Sequence, residues 1–197
     1  MWALVQDGTV TKTFNYAKGF VLNDTQYPKD IFTKWSKAEK EAIGIYEVIV
    51  DKTNYKDSKY YNNTNSTIAF ANNQVTESWG TATAKRLVDE NAVDEDGNPI
   101  LEDGVQVINY GLKTEKKRIV KDQAAGLLAK TDWYVVKATE VNDYTVPADI
   151  TTYRAAVRTR SNEMETAIDN AADVDALKTL YEYTEQADGT STRPLGE

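Results

Sequence analysis

Residues 113–136 read KTEKKRIVKDQAAGLLAKTDWYVV, and this stretch sets the fold class. From Lys113 to Ala129 the apolar residues Ile119, Val120, Ala124, Leu127 and Leu128 fall near one face of a helix, with charge elsewhere. Gly126 weakens that helix by about 1 kcal/mol relative to alanine. The run stops at Lys130, Thr131-Asp132 breaks it, and four large residues follow, Trp133-Tyr134-Val135-Val136. In isolation such a cluster fits a core plug, a ligand platform or a partner surface. Between two helices it reads as a hinge plug that closes the core. Trp133→Ala is then expected to cost about 3–5 kcal/mol, as for a buried large aromatic.

Downstream, Pro147 and Asp149 mark the start of a second helix. Ile150, Tyr153, Val157, Ser161, Met164 and Ile168 recur along it in steps of three and four. That spacing makes a narrow stripe suited to another helix. The stripe either packs inside the chain or forms a seam between copies, and closed homo-oligomers are common enough to keep both open. Arg154 and Arg158 share a face that a carboxylate-rich partner would fit, set against the plainer reading of a solvated surface. Asp173 can cap a third helix carrying Val174, Leu177, Leu180 and Tyr181, with Tyr183 as a further candidate. Residues 188–197 read as turn-rich, extended or partly disordered.

Upstream the period is that of strands. Trp2–Val5 and Thr9–Phe14 flank Asp7-Gly8, a hairpin signal, and Asn72-Asn73 lies between two further β-prone runs. Phe20–Leu22 is a short apolar run, and Tyr27 precedes a proline and must be extended or in a turn. Ser36 followed by Glu39 is a capping box, and Gly44 can end the short helix that it starts. Ile45–Val50 reads as a strand, and residues 54–67 as a polar loop. The layout is α+β: a β-rich docking domain over 1–85, an acidic hairpin or linker over 86–112, and a helical domain with an extended tail over 113–197.

Composition narrows the chemistry. The 197 residues include no cysteine and no histidine. Thiolate metal sites, disulfides and histidine-assisted nucleophiles are therefore excluded within this chain. An enzyme would need carboxylates, lysine or tyrosine with strongly shifted pKa values, so none is expected. The net charge of −8 argues against nucleic-acid binding. Residues 86–112 concentrate it, with seven acidic side chains against one basic. No apolar run is long enough to span a bilayer. The opening MWALVQDGTV has neither the basic cluster nor the apolar region of a signal peptide, so folding in a cytosol is expected. The sequons at Asn23, Asn62 and Asn65 then reflect polar composition alone.

Asp94, Asp96 and Asn98 alternate as calcium ligands do in an EF-hand, but Pro99 and Val105 stand where that loop needs glycine and glutamate. Asp-Gly turns in an exposed hairpin explain the segment better. No carboxylate pair stands out for glycoside hydrolysis, and no glycine-rich phosphate loop is present. No catalytic residue, cofactor site or metal ligand is assigned.

The run KDQAAGLLAKTDWYVVKATE, with VPADITTYRAAVRTRSNEMETAI after it, resembles a module of tail-fibre-associated proteins of tailed bacteriophages. There a helix ends in Leu-Leu-x-x-Thr-Asp-Trp, a short turn or strand follows, and a Pro-x-x-(Ile/Val)-x-x-Tyr-Arg helix begins. The matching residues are Leu127, Leu128, Thr131, Asp132, Trp133, Pro147, Ile150, Tyr153 and Arg154. The N-terminal pattern MWALVQDGTVTKTF…YP…GIYEV is similar to the opening of such proteins, whereas the acidic middle adds little. The resemblance implies a non-enzymatic structural component of the virion tail, at the fibre or baseplate level, made in the host cytoplasm. It would bind other tail proteins and have no cofactor, membrane or nucleic-acid partner. A soluble tail-fibre assembly chaperone is the alternative, and a host-glycan-binding module a second. Trp133, Tyr134, Ile150, Tyr153, Arg154, Val157, Met164 and Ile168 are the candidate interaction and packing residues.

Overall fold

The computed structural model describes residues 1–195. The fold is α+β, and the chain divides into two compact units, residues 1–83 and 84–197.

The first unit begins with β1 (Trp2–Gln6), β2 (Thr9–Phe14), β3 (Phe20–Leu22) and β4 (Thr25–Tyr27). Two short helices, α1 (Ile31–Lys34) and α2 (Lys37–Ala42), lead into β5 (Ile45–Asp51). After β6 (Tyr61–Asn62) come β7 (Ser66–Ala71), β8 (Gln74–Trp79) and β9 (Thr83–Ala84). Five strands form one sheet in the order β2-β1-β5-β8-β7, in which only β5 and β8 run parallel.

Turn chemistry fixes the registers. Asp7-Gly8, Asn23-Asp24 and Asn72-Asn73 each place two successive residues at positive φ. That is the two-residue turn whose twist matches antiparallel strands, and Asn, Asp and Gly tolerate it best. The expected capping box is formed: Ser36 Oγ accepts from the Glu39 amide, and the Glu39 carboxylate accepts from the Ser36 amide. The Ser36 hydroxyl also donates to that carboxylate, and with the Ser36 amide it holds the Glu39 carboxyl below its ordinary pKa.

Both sheet faces are used. Leu4, Phe14 and Ile45 pack with Phe20, Ile31 and Phe32 from the β3–β4 hairpin and α1. On the other face Ala3, Val48 and Val75 gather Val10, Ile68 and Phe70. Val10 comes from one sheet edge and Phe70 from the other, so the sheet curls around this second cluster.

The second unit opens with β10 (Glu90–Asn91), β11 (Leu101–Glu102), β12 (Val105–Gln106) and β13 (Ile108–Asn109). β11–β12 nests inside β10–β13 as paired hairpins, with Asp103-Gly104 at the inner turn. α3 (Leu112–Ala129), α4 (Asp132–Glu140), α5 (Ala148–Asn170) and α6 (Val174–Thr179) follow, then a hairpin of β14 (Thr184–Glu185) and β15 (Ser191–Thr192). The acidic segment is tied to the start of α3. Leu112 and Lys113 donate their amides to the carbonyls of Arg86 and Leu87, and Asp89 accepts from the Gly111 amide and the Thr114 hydroxyl. These bonds satisfy amides that a helix start leaves open. α6 is capped by Asp173, which accepts from the Ala176 amide.

One expectation is corrected: the stretch after Thr131 is a helix rather than a turn or strand. The end of the chain, read as turn-rich, extended or partly disordered, forms the β14–β15 hairpin, and Leu195 is buried with its amide bonded to the Leu180 carbonyl. Residues 196–197 of that expectation lie outside the described residues.

Gly44 carries a clear steric demand. Its φ is +80°, and a Cβ there would lie 2.4 Å from the Val5 carbonyl oxygen. Its own carbonyl accepts from the Val5 amide at 2.8 Å, beside the register shift between Leu4 and Val5. Gly44→Ala should therefore lose more than about 1 kcal/mol in urea unfolding of the chain; unchanged stability would show that β1 and the α2–β5 turn can shift apart at little cost.

Candidate functional site

Of the residues singled out in the helical part, Leu127, Leu128, Thr131, Asp132, Tyr153 and Arg154 meet at the junction between α3 and α4, whereas Met164 and Ile168 lie toward the other end of α5. α3 and α5 run antiparallel side by side. At one end Lys113 Nζ donates to the Asp169 carbonyl and Lys117 pairs with the Asp169 carboxylate at 2.8 Å. That hydrogen-bonded carboxylate raises the pKa of the Lys117 ammonium. Lys121 and Glu165 pair further along, at 3.3 Å.

At the other end is Arg154, only 8% exposed. Its Nη1 donates to the Leu128 carbonyl at 2.9 Å and to the Thr131 hydroxyl at 2.7 Å, while Nη2 meets the Asp132 carboxylate at 2.8 Å. The Thr131 hydroxyl donates in turn to the Leu128 carbonyl. The neighbouring Tyr153 hydroxyl reaches the Leu127 carbonyl at 3.5 Å. The last carbonyls of a helix have no partner inside it, and its C-terminus carries partial negative charge. A planar guanidinium with several fixed donors suits that end, and it also reaches the carboxylate that begins α4.

The reading of Arg154 as a solvated or partner-facing residue is thus corrected: its guanidinium is committed inside the unit. The inward stripe of α5 is Arg154, Val157, Ser161, Met164 and Ile168, of which Val157 is half-buried and the rest buried. Ile150 is half-buried, and Tyr153 is 38% exposed at the edge of the stripe. α5 packs along α3 within the chain. On α3, Val120 is buried but Ile119 and Leu127 are largely exposed.

The hinge-plug reading of Trp133–Val136 is also corrected. Trp133 is 53% exposed and Val136 50%, Val135 is exposed, and Tyr134 is half-buried. The Trp133 and Tyr134 rings meet tilted, with centroids 3.9 Å apart, and the Lys137 ammonium lies over Trp133 and, at 4.3 Å, over Tyr144. Successive helical residues point about 100° apart, so four in a row cannot share one buried face.

Sequence reasoning missed an open, mostly apolar groove of about 720 Å³ between α3 and α5. Val120, Leu127, Val157 and Met164 line its floor and walls, and Lys130, Arg160 and Arg193 stand around it. The sequence carries no signal for it, because the groove exists only where α3 and α5 lie side by side.

The acidic loop serves its own turn. The Asp94 carboxylate accepts from the amides of Asp96 and Asn98 and from the Asn98 side chain, which lowers its pKa. Among the described residues no three His, Cys, Asp or Glu side chains cluster as metal ligands would, and no helix is long and apolar enough to cross a membrane.

No family model matches this chain, and neither does any curated protein or any solved structure.

Arg154→Ala should cost about 3 kcal/mol in denaturant unfolding, the scale of several hydrogen bonds to a charged group lost together. Arg154→Lys should recover only part of this, because an ammonium cannot span Leu128, Thr131 and Asp132 as a fork does. Trp133→Ala should cost about 0.5 kcal/mol, as at an exposed position. A loss at Trp133 equal to that at Arg154 would contradict this ranking.

Proposed function

We propose that this chain is a non-enzymatic component of a bacteriophage tail, at the fibre or baseplate level, that works through protein–protein contacts. The observation that carries the reading is the convergence at Arg154. The residues on which the resemblance to tail-fibre-associated proteins rests are scattered over 28 positions, from Leu127 to Arg154. Leu127, Leu128, Thr131, Asp132, Tyr153 and Arg154 nevertheless meet in one hydrogen-bonded junction. A pattern with that physical basis marks a folded module rather than a chance string of residue types.

Its chemistry supports the same reading. The chain has no histidine or cysteine, and among the described residues every carboxylate with a resolved pKa shift is lowered by hydrogen bonds, the state opposite to that of a general acid. Trp133, Val135 and Val136 meanwhile offer apolar surface on α4, of the kind that protein contacts use.

Quantitative mass spectrometry of purified particles of the encoding phage should find the chain at a fixed copy number per virion. Its absence from particles, with abundance in infected-cell lysate, would overturn the virion reading and favour a fibre-assembly chaperone. Binding of the isolated chain to host polysaccharide would instead favour a glycan-binding module.

A further inference from the structure

We propose that the groove between α3 and α5 is a docking site for an amphipathic helix of another protein whose apolar stripe is flanked by carboxylates. This does not depend on the phage reading, since it rests on the groove alone.

The groove has the shape and lining for a helix. α3 and α5 lie antiparallel, and the groove follows them from Val120 to Lys130 and from Tyr153 to Met164, about three turns of each, with Tyr183 and Arg193 of the chain's end also lining it. A third helix laid along two others buries its stripe at the usual separation of about 8–10 Å. The trough is floored by Val120, Val157 and Met164, with Leu127 on its wall left largely exposed. Methionine in such a floor adapts to the side chains set against it.

Charge selects the occupant. The second unit as a whole carries 22 acidic and 14 basic side chains, yet the charged residues lining the groove are Lys130, Arg160 and Arg193, all cationic. Two of these are held in place. Arg160 donates to the Leu195 carbonyl, and the Arg193 guanidinium lies over the Tyr183 ring at 5.4 Å. Glu163 pairs with Arg160 at 3.1 Å, but that pair is solvent-exposed and so contributes little. A partner with acidic flanks meets a cationic rim, which governs selectivity and encounter rate.

Gly126 adds an independent argument. It sits inside α3 and lines the groove, and a Cβ built there meets nothing within 4 Å. Packing inside the chain therefore does not require glycine, although glycine weakens a helix interior. An open glycine lets another helix approach closely, as small residues do at helix–helix contacts.

The test uses the full chain and two synthetic helical peptides of about five turns that share leucines at i, i+3, i+4 and i+7, one flanked by glutamates and the other by lysines. Fluorescence anisotropy should show the glutamate peptide binding at least about tenfold more tightly at low salt, with the difference shrinking as salt screens the rim. Lys130→Glu combined with Arg193→Glu should abolish or reverse the preference. Gly126→Leu should weaken binding by about tenfold or more while the thermal midpoint holds or rises. Equal binding of both peptides, no binding up to about millimolar concentration, or unchanged binding in folded Gly126→Leu would overturn the proposal. Light scattering that shows a dimer dissociated by the peptide would also overturn it, by placing a second copy in the groove. Should Gly126→Leu fail to fold, the surface charge reversal alone decides.

Discussion

The second unit depends on one buried cation. The Arg154 guanidinium sits where α3 ends and α4 begins, donating to a terminal carbonyl of the first helix and pairing with the opening carboxylate of the second. Burying a guanidinium is costly unless its donors are met. Here the Leu128 carbonyl, the Thr131 hydroxyl and the Asp132 carboxylate meet them, two of which belong to a helix C-terminus and the residue just beyond it. Because Arg154 belongs to α5, the same contacts fix where α5 lies against α3, and with the ion pairs of Lys117 and Lys121 they define the antiparallel pair. The groove and the exposed face of α4 follow from that placement.

The sharp break between α3 and α4 has the same origin. Thr131 stands in the N-terminal capping position of α4, yet its hydroxyl turns back to the Leu128 carbonyl and accepts from Arg154. Asp132 then lies in the first turn of α4, where a carboxylate is favoured by the helix dipole. The Thr-Asp pair thus ends one helix and starts the next without a proline or glycine, leaving Trp133 and its neighbours on a new helix that turns them outward. The first unit solves a different problem with local turn chemistry, since Asp7-Gly8, Asn23-Asp24 and Asn72-Asn73 set strand pairing before any long-range contact is needed.

Much of this was legible in the sequence, and the reason differs from place to place. The hairpins at Asp7-Gly8 and Asn72-Asn73, the Ser36–Glu39 capping box and the Asp173 cap are short-range devices, carried by residues next to each other. The Ile150–Ile168 stripe was readable because a helix repeats, although its true inward line includes Arg154. Four features were not legible. The role of Arg154 depends on a partner 22 or more positions away, at Leu128, Thr131 and Asp132, and nothing local distinguishes it from Arg158. The Trp133–Val136 run reads as a plug because four large residues invite burial, whereas helical geometry spreads them around the axis. The groove was invisible because it exists only once α3 and α5 lie together, and the fold of the chain's end depends on Leu195 docking near Leu180.

The central claim is that Arg154 holds the α3–α4 junction and through it the helical pair. Hydrogen exchange read by mass spectrometry on the wild type and Arg154→Met tests it most directly, because methionine keeps an unbranched side chain of similar reach but donates no hydrogen bond. Protection should fall sharply across residues 127–140 and in the first turns of α5, while the strands of residues 1–83 stay as they are. Unchanged protection at the junction, or an equal loss over both units, would contradict the account.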